Sequence, residues 1–126
     1  MLYQPIQLQV TNTTGANNTA VGYGALVLNS TGGQNTGVGH NALYGTTTGS
    51  GNTGLGQGAL QGNTTGANNT AVGQASLSVS TTGAENVAIG KNSLAANTTA
   101  ASNTAVGTNA LTANTTGQWN TAIGQN

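Results

Sequence analysis

The side chains able to exchange a proton near neutral pH are few and far apart in this sequence. The chain of 126 residues has one histidine, His40, one acidic residue, Glu85, and one basic residue, Lys91, and it has no cysteine. A protein metal site needs three or four ligands close together, and covalent catalysis needs a nucleophile beside a base. Neither arrangement can be assembled from this inventory. We therefore predict that the chain is not an enzyme and uses no metal or cofactor.

Aromatic side chains are the next candidates, because their rings combine apolar area with a polar group and are favoured at binding surfaces. Tyr23, Tyr44 and Trp119 are the residues that we predict to contact a glycan or another receptor on a host surface. Packing at the rim of the fold is the alternative interpretation of the same three rings.

Composition excludes two classes of partner. Charged residues make up 2% of the chain, against about 25% in average proteins. Nucleic-acid binding requires clustered Lys and Arg to displace counterions, and no apolar run approaches the roughly 18 residues of a membrane span. We predict that the protein binds no nucleic acid and inserts into no membrane.

The sequence repeats every 17 residues without an insertion or a deletion. The unit is N-T-A-V-G-x-x-A-L-x-x-N-T-T-G-x-x, and it runs through six and a half copies. Disordered sequence has no physical reason to keep such a spacing, whereas stacked structural units must keep it. The recurring asparagine of the unit is found at Asn18, Asn35, Asn52, Asn69, Asn86, Asn103 and Asn120.

The repeat predicts an all-β fold, a parallel β-solenoid of 17-residue rungs over residues 12–126. Two glycines and the Asn-Thr-Thr segment in each unit oppose a helix, while short extended segments between glycine corners fit the pattern. We expect one strand at N-T-A-V-G and a second around A-L. Residues 1–11, where Ile6, Leu8 and Val10 alternate with glutamine, are predicted to form an N-terminal capping strand.

Stacking in register places each repeated residue above its counterpart, so the asparagines are predicted to form a hydrogen-bonded amide ladder. Each unit offers only two substantial apolar side chains, and small residues can fill much of the coil interior. We therefore expect one aliphatic column to pack against other copies of the chain, near a shared core. That column consists of Val21, Val38, Leu55, Val72, Ile89, Val106 and Ile123.

Units such as Asn69-Thr-Ala-Val-Gly73, Asn86-Val-Ala-Ile-Gly90 and Asn120-Thr-Ala-Ile-Gly124 resemble the head repeats of YadA-like trimeric autotransporter adhesins. Similar repeats occur in phage tail fibres, and the resemblance covers residues 12–126. It implies a left-handed parallel β-roll that forms homotrimers and presents its outer surface to a host. The head repeat of the adhesins is shorter than 17 residues, so the cross-section of the coil is expected to differ.

Together these observations predict a structural or adhesive fibre segment that is extracellular, on a cell surface or on a virion. The expected partners are further copies of the chain in a homotrimer and an unidentified surface or glycan receptor. At the C-terminal end of the solenoid, a continuing chain and end-to-end stacking of copies are the two open alternatives. The alternative is an ice-binding solenoid that uses its stacked threonines. Two threonine columns are available, one following every ladder asparagine except Asn86 and one in the Thr-Thr-Gly turn.

Overall fold

A β-branched residue, a small residue and an aliphatic residue follow each ladder asparagine and form one short strand per repeat. The computed structural model describes residues 11–125, and the predicted capping strand lies outside them except for Thr11. Each 17-residue turn of the coil is called a rung here and begins at its ladder asparagine. The strands are β1 Thr19–Val21, β2 Thr36–Val38, β3 Thr53–Leu55, β4 Thr70–Val72, β5 Val87–Ile89, β6 Thr104–Val106 and β7 Thr121–Ile123.

These strands form one parallel sheet in sequence order, β1 to β7. Every strand residue pairs with the residue 17 positions later, as in Thr53 with Thr70 and Leu55 with Val72. The described part of the chain contains no helix, and the prediction of an all-β parallel solenoid with 17-residue rungs is confirmed. At about 4.8 Å between strands, the stack is roughly 35 Å long.

The prediction of a second strand around Ala-Leu is wrong, because each Ala-Leu or Ser-Leu segment forms a turn. The leucines have positive φ angles, for example 54° at Leu43 and 47° at Leu77. A left-handed conformation costs about 1–2 kcal/mol at a non-glycine residue. Here it turns the leucine side chain into the coil while its N–H still reaches the next rung, as in the 2.9 Å bond from Leu43 to the Ala59 carbonyl.

The leucine of that turn and the small residue in the middle of each strand form the core. Leu43, Leu60, Leu77 and Leu94 have no exposed surface. Alanines 71, 88 and 105 of the strands are equally buried and belong to the same cluster. The interior is therefore only one leucine wide, which leaves the second aliphatic column of the repeat outside it.

Glycine is required where each strand ends, because consecutive rungs approach most closely there. Gly56 has a φ of 133°, and a Cβ atom at this residue would lie 2.8 Å from the carbonyl group of Gly73 in the next rung. Two residues on, Gly58 also has a positive φ, of 66°, but the nearest atom to its Cβ position is a side-chain oxygen of Gln61 at 3.1 Å. The equivalent of Gly58 one rung later is Ala75, with a φ of 55°.

We predict that Gly56→Ala lowers the free energy of unfolding by about 2–4 kcal/mol, through strain and steric overlap with the next rung. Gly58→Ala is the matched control and should cost about 1 kcal/mol, because an alanine already occupies the equivalent position. Urea denaturation followed by circular dichroism measures both. Equal losses in the two variants would contradict close approach of the rungs at Gly56.

Candidate functional site

The outer face of the sheet is the most regular surface of the molecule. Side chains alternate along a strand, so the small middle residue points into the coil while the first and third residues point away from it. The surface formed by these first and third strand residues is called the outward face. It carries one threonine and one aliphatic residue per rung, except in β5, where Val87 replaces threonine.

The aliphatic column predicted to join copies of the chain lies on this outward face. Val38, Leu55 and Ile89 are 37%, 36% and 40% exposed, although each has neighbouring rungs on both sides. Val72 and Val106 are half-buried. The column thus forms an unbroken apolar stripe along the rod, and it is separate from the leucine core.

The asparagine at the start of each rung forms a buried amide ladder beside this face. In the middle of the ladder, the Nδ2 of Asn69 donates to Oδ1 of Asn52 at 3.2 Å and to the carbonyl of Gly83 at 2.8 Å. Its Oδ1 accepts from the backbone N–H of Asn86 at 3.0 Å and from Asn86 Nδ2 at 3.1 Å. Every bonding position of this amide is used. The side-chain bonds run in the same direction at each step from Asn35 to Asn120.

Two further stacked columns were not identified from the sequence. The first threonine of the Thr-Thr-Gly turn donates its hydroxyl to the carbonyl of its counterpart in the next rung, for example Thr47 to Thr64 at 3.1 Å. A second asparagine, exemplified by Asn63, donates Nδ2 to the carbonyl three residues on, Gly66, at 3.0 Å. An asparagine directly before Thr-Thr-Gly is the sequence signal for this turn, because an asparagine side chain can hydrogen-bond to nearby backbone and so stabilise a turn.

The second threonine of the same turn is exposed in each rung. Its column consists of Thr14, Thr31, Thr48, Thr65, Thr82, Thr99 and Thr116. The threonines on the outward face are less exposed, since those of β2, β3, β4 and β6 are half-buried. Of the two columns considered for ice binding, one therefore lies on a turn and the other on the sheet.

The three aromatic residues proposed as binding candidates do not form one site. Tyr23 stacks on His40 of the next rung, with ring centroids 5.5 Å apart and an angle of 13° between the rings. This column also contains a ladder bond from Gln74 to Gln57, at 3.1 Å. Tyr44 lies next to the backbone of Gly24, near Tyr23. One ring face of Tyr23 is thus occupied by a neighbouring rung.

Trp119 stands apart from the other rings and is 78% exposed. It lies in the variable column that immediately precedes the ladder asparagines, several rungs away from Tyr23 and Tyr44. The structure therefore leaves Trp119 as the aromatic side chain with the most accessible surface among residues 11–125.

The residues able to do acid–base chemistry are separated in the structure as in the sequence. Residues 11–125 contain no group of three His, Asp or Glu side chains placed to hold a metal ion. Over the same residues, no helix is long and apolar enough to cross a lipid bilayer.

Comparison with known proteins returns no match to a family model, to a curated protein or to a solved structure.

Replacing Asn69 with alanine should lower the free energy of unfolding by about 3–5 kcal/mol. The change leaves the backbone N–H of Asn86, the carbonyl of Gly83 and one N–H of the Asn86 side-chain amide without their partners, and each such loss costs about 1–3 kcal/mol. The adjacent exposed residue provides the control, because Asn68→Gly keeps the left-handed backbone that Gly51 adopts one rung earlier. Urea titration of both variants checks the prediction, and similar midpoints would contradict a stabilising ladder.

Proposed function

We propose that this chain is a rigid segment of an extracellular fibre, which associates with copies of itself, as a homotrimer, and presents its remaining surface for attachment. The observation that carries the proposal is the apolar stripe on the outward face. Parallel sheets are almost always covered on both faces, and a continuous apolar surface on a soluble protein marks an interaction site.

The stripe suits another copy of the same chain better than an unrelated partner. Residues on the outward face are threonine, valine, isoleucine and leucine only, so two such faces meet without burying an unpaired charge. Identical rungs at a regular spacing allow the same contact to repeat along the rod. The resemblance to trimeric adhesin heads and phage tail fibres supports three copies around a common axis.

Attachment is assigned to the columns that vary between rungs. The column after the strand-end glycine contains Tyr23, His40, Gln57 and Lys91 among others, and the column before the ladder asparagine ends in Trp119. Both are largely exposed and are held on a rigid stack, which suits display of several sites at fixed spacing and binding by avidity. A surface glycan or protein on a host cell is the kind of receptor that we propose.

Leu55→Lys should weaken self-association at least roughly tenfold without unfolding the chain, because a charge would be buried at the contact between copies. Gln61→Lys, at an exposed turn residue away from the outward face, is the matched control and should associate like the unchanged protein. Native mass spectrometry and sedimentation equilibrium measure the assembly, and circular dichroism checks the fold. A protein that stays monomeric at all concentrations would overturn the proposal.

Ice binding is a second candidate function for the same outward face. The specific observation is that two parallel columns run along the face, one mainly of threonine and one of aliphatic residues, with no charged residue between them. A flat array of methyl and hydroxyl groups can order water only if it remains uncovered. A monomer that shows thermal hysteresis and shapes ice crystals would support this function, whereas a homotrimer that buries the threonines of the sheet would exclude it.

A further inference from the structure

The only two charged side chains of the protein lie at the same level of the rod. Glu85 is two residues before β5 and Lys91 is two residues after it, and both are exposed. They therefore occupy the two opposite margins of the outward face, at the rung that begins with Asn86. One margin of the face carries the single negative charge and the other carries the single positive charge.

These two charges are too far apart to pair within one chain. Five residues lie between them, and three of these form the extended strand β5, so the two backbone positions are on the order of 15–20 Å apart. An ion pair requires the charged atoms to be within about 4 Å. Glu85 instead accepts a hydrogen bond from the hydroxyl of Ser102 in the same column, at 3.3 Å.

The geometry of self-association brings the opposite margins together. When parallel copies turn their outward faces toward a common axis, the left margin of each copy adjoins the right margin of its neighbour at the same height. The contact is heterologous, and the rotation closes it into a ring. Glu85 of one copy then faces Lys91 of the next at each contact around the ring.

We infer that Glu85 and Lys91 form an ion pair between neighbouring copies and thereby hold the rods parallel and level. This inference rests on the proposed self-association through the outward face. The apolar stripe alone does not define the alignment, because each rung offers nearly the same residues as the next. A shift by one rung, about 4.8 Å, removes the pair while most of the apolar contact is retained.

The charges also disfavour the antiparallel alternative. In an antiparallel pair packed through the outward faces, each margin lies opposite the same margin of the other copy. If the two copies are level at β5, Glu85 then faces Glu85 and Lys91 faces Lys91. Like charges across a contact are destabilising. At any other antiparallel offset Glu85 still faces the margin that carries no lysine, so only the parallel arrangement gains the ion pair.

Charge reversal tests the pair in the intact chain. E85K and K91E each place like charges on facing margins, and each should weaken association roughly tenfold at low ionic strength, with the difference reduced in high salt. The double variant E85K/K91E restores opposite charges and should associate like the unchanged protein. Q61K, which adds a charge at an exposed residue away from both margins, is the control for net charge.

Zero-length crosslinking tests the alignment directly. A carbodiimide joins the Glu85 carboxylate and the Lys91 amine as an amide, and the reagent takes up the water that is lost and becomes a urea. Peptide mapping of the crosslinked oligomer should identify the Glu85–Lys91 bond between chains. The variant Q57K/K91Q moves the lysine two rungs along the same column, roughly 10 Å, and should lose the crosslink to Glu85.

The outcomes separate this inference from the proposed function. If the protein is an oligomer but forms no Glu85–Lys91 crosslink, or if E85K/K91E associates no better than the single variants, the ion pair is wrong and self-association stands. If the protein is a monomer at all concentrations, the proposed function fails as well. An oligomer with the expected crosslink, together with recovery in the double variant, supports the pair.

Discussion

The buried amide ladder is the interaction on which the rest of the structure depends. In the middle of the ladder Asn69 has no access to water and uses both of its N–H groups and both lone pairs of its oxygen, whereas an unpaired buried group would cost about 1–3 kcal/mol. Its partners are the side-chain amides of the ladder asparagines in the two neighbouring rungs, the backbone N–H of Asn86 and the carbonyl of Gly83. A rung that was longer or shorter by one residue would misplace them all, so the 17-residue spacing is a condition of burial.

That condition explains where the sequence is constant and where it varies. Positions that face a neighbouring rung at close range keep one residue type, as at the strand-end glycines, where a Cβ would overlap the next backbone. Positions that point into solvent, such as those of Glu85, Lys91 and Trp119, are not held to one residue type by the packing of the rungs. Variation along the rod is therefore confined to its surface, where it can determine which copies or receptors fit.

Much of this architecture follows from the sequence, because the same spacing that reveals the repeat also fixes which residues stack. The period of 17 predicts the parallel register and the asparagine column. The alternation within Thr-Ala-Val predicts that the small residue points inward and the aliphatic residue points outward. The turn at Leu43 could not be predicted in this way. A leucine with positive φ is unfavourable locally, and it is adopted because the rest of the rung gives its side chain a buried position.

The surface was predicted less completely than the interior. Tyr23 stacks on His40 because two different aromatic residues occupy successive rungs of one variable column. The repeat pattern describes the residues that recur, so it does not predict this contact. The hydroxyl bonds of the Thr-Thr-Gly turn depend on the side-chain torsion of each threonine and on the position of a carbonyl one rung away. Sequence periodicity gives the column but not the direction in which its side chains point.

The 17-residue rung also has a mechanical consequence. Each rung occupies about 4.8 Å of the rod axis but contains enough chain to span roughly 55–60 Å when drawn out. Neighbouring rungs are joined by hydrogen bonds that lie along the axis, so a pull on the chain ends loads them one rung at a time instead of all together. Under tension the rod would lengthen more than tenfold in small equal steps, which makes a stiff spacer at rest into an extensible tether under load.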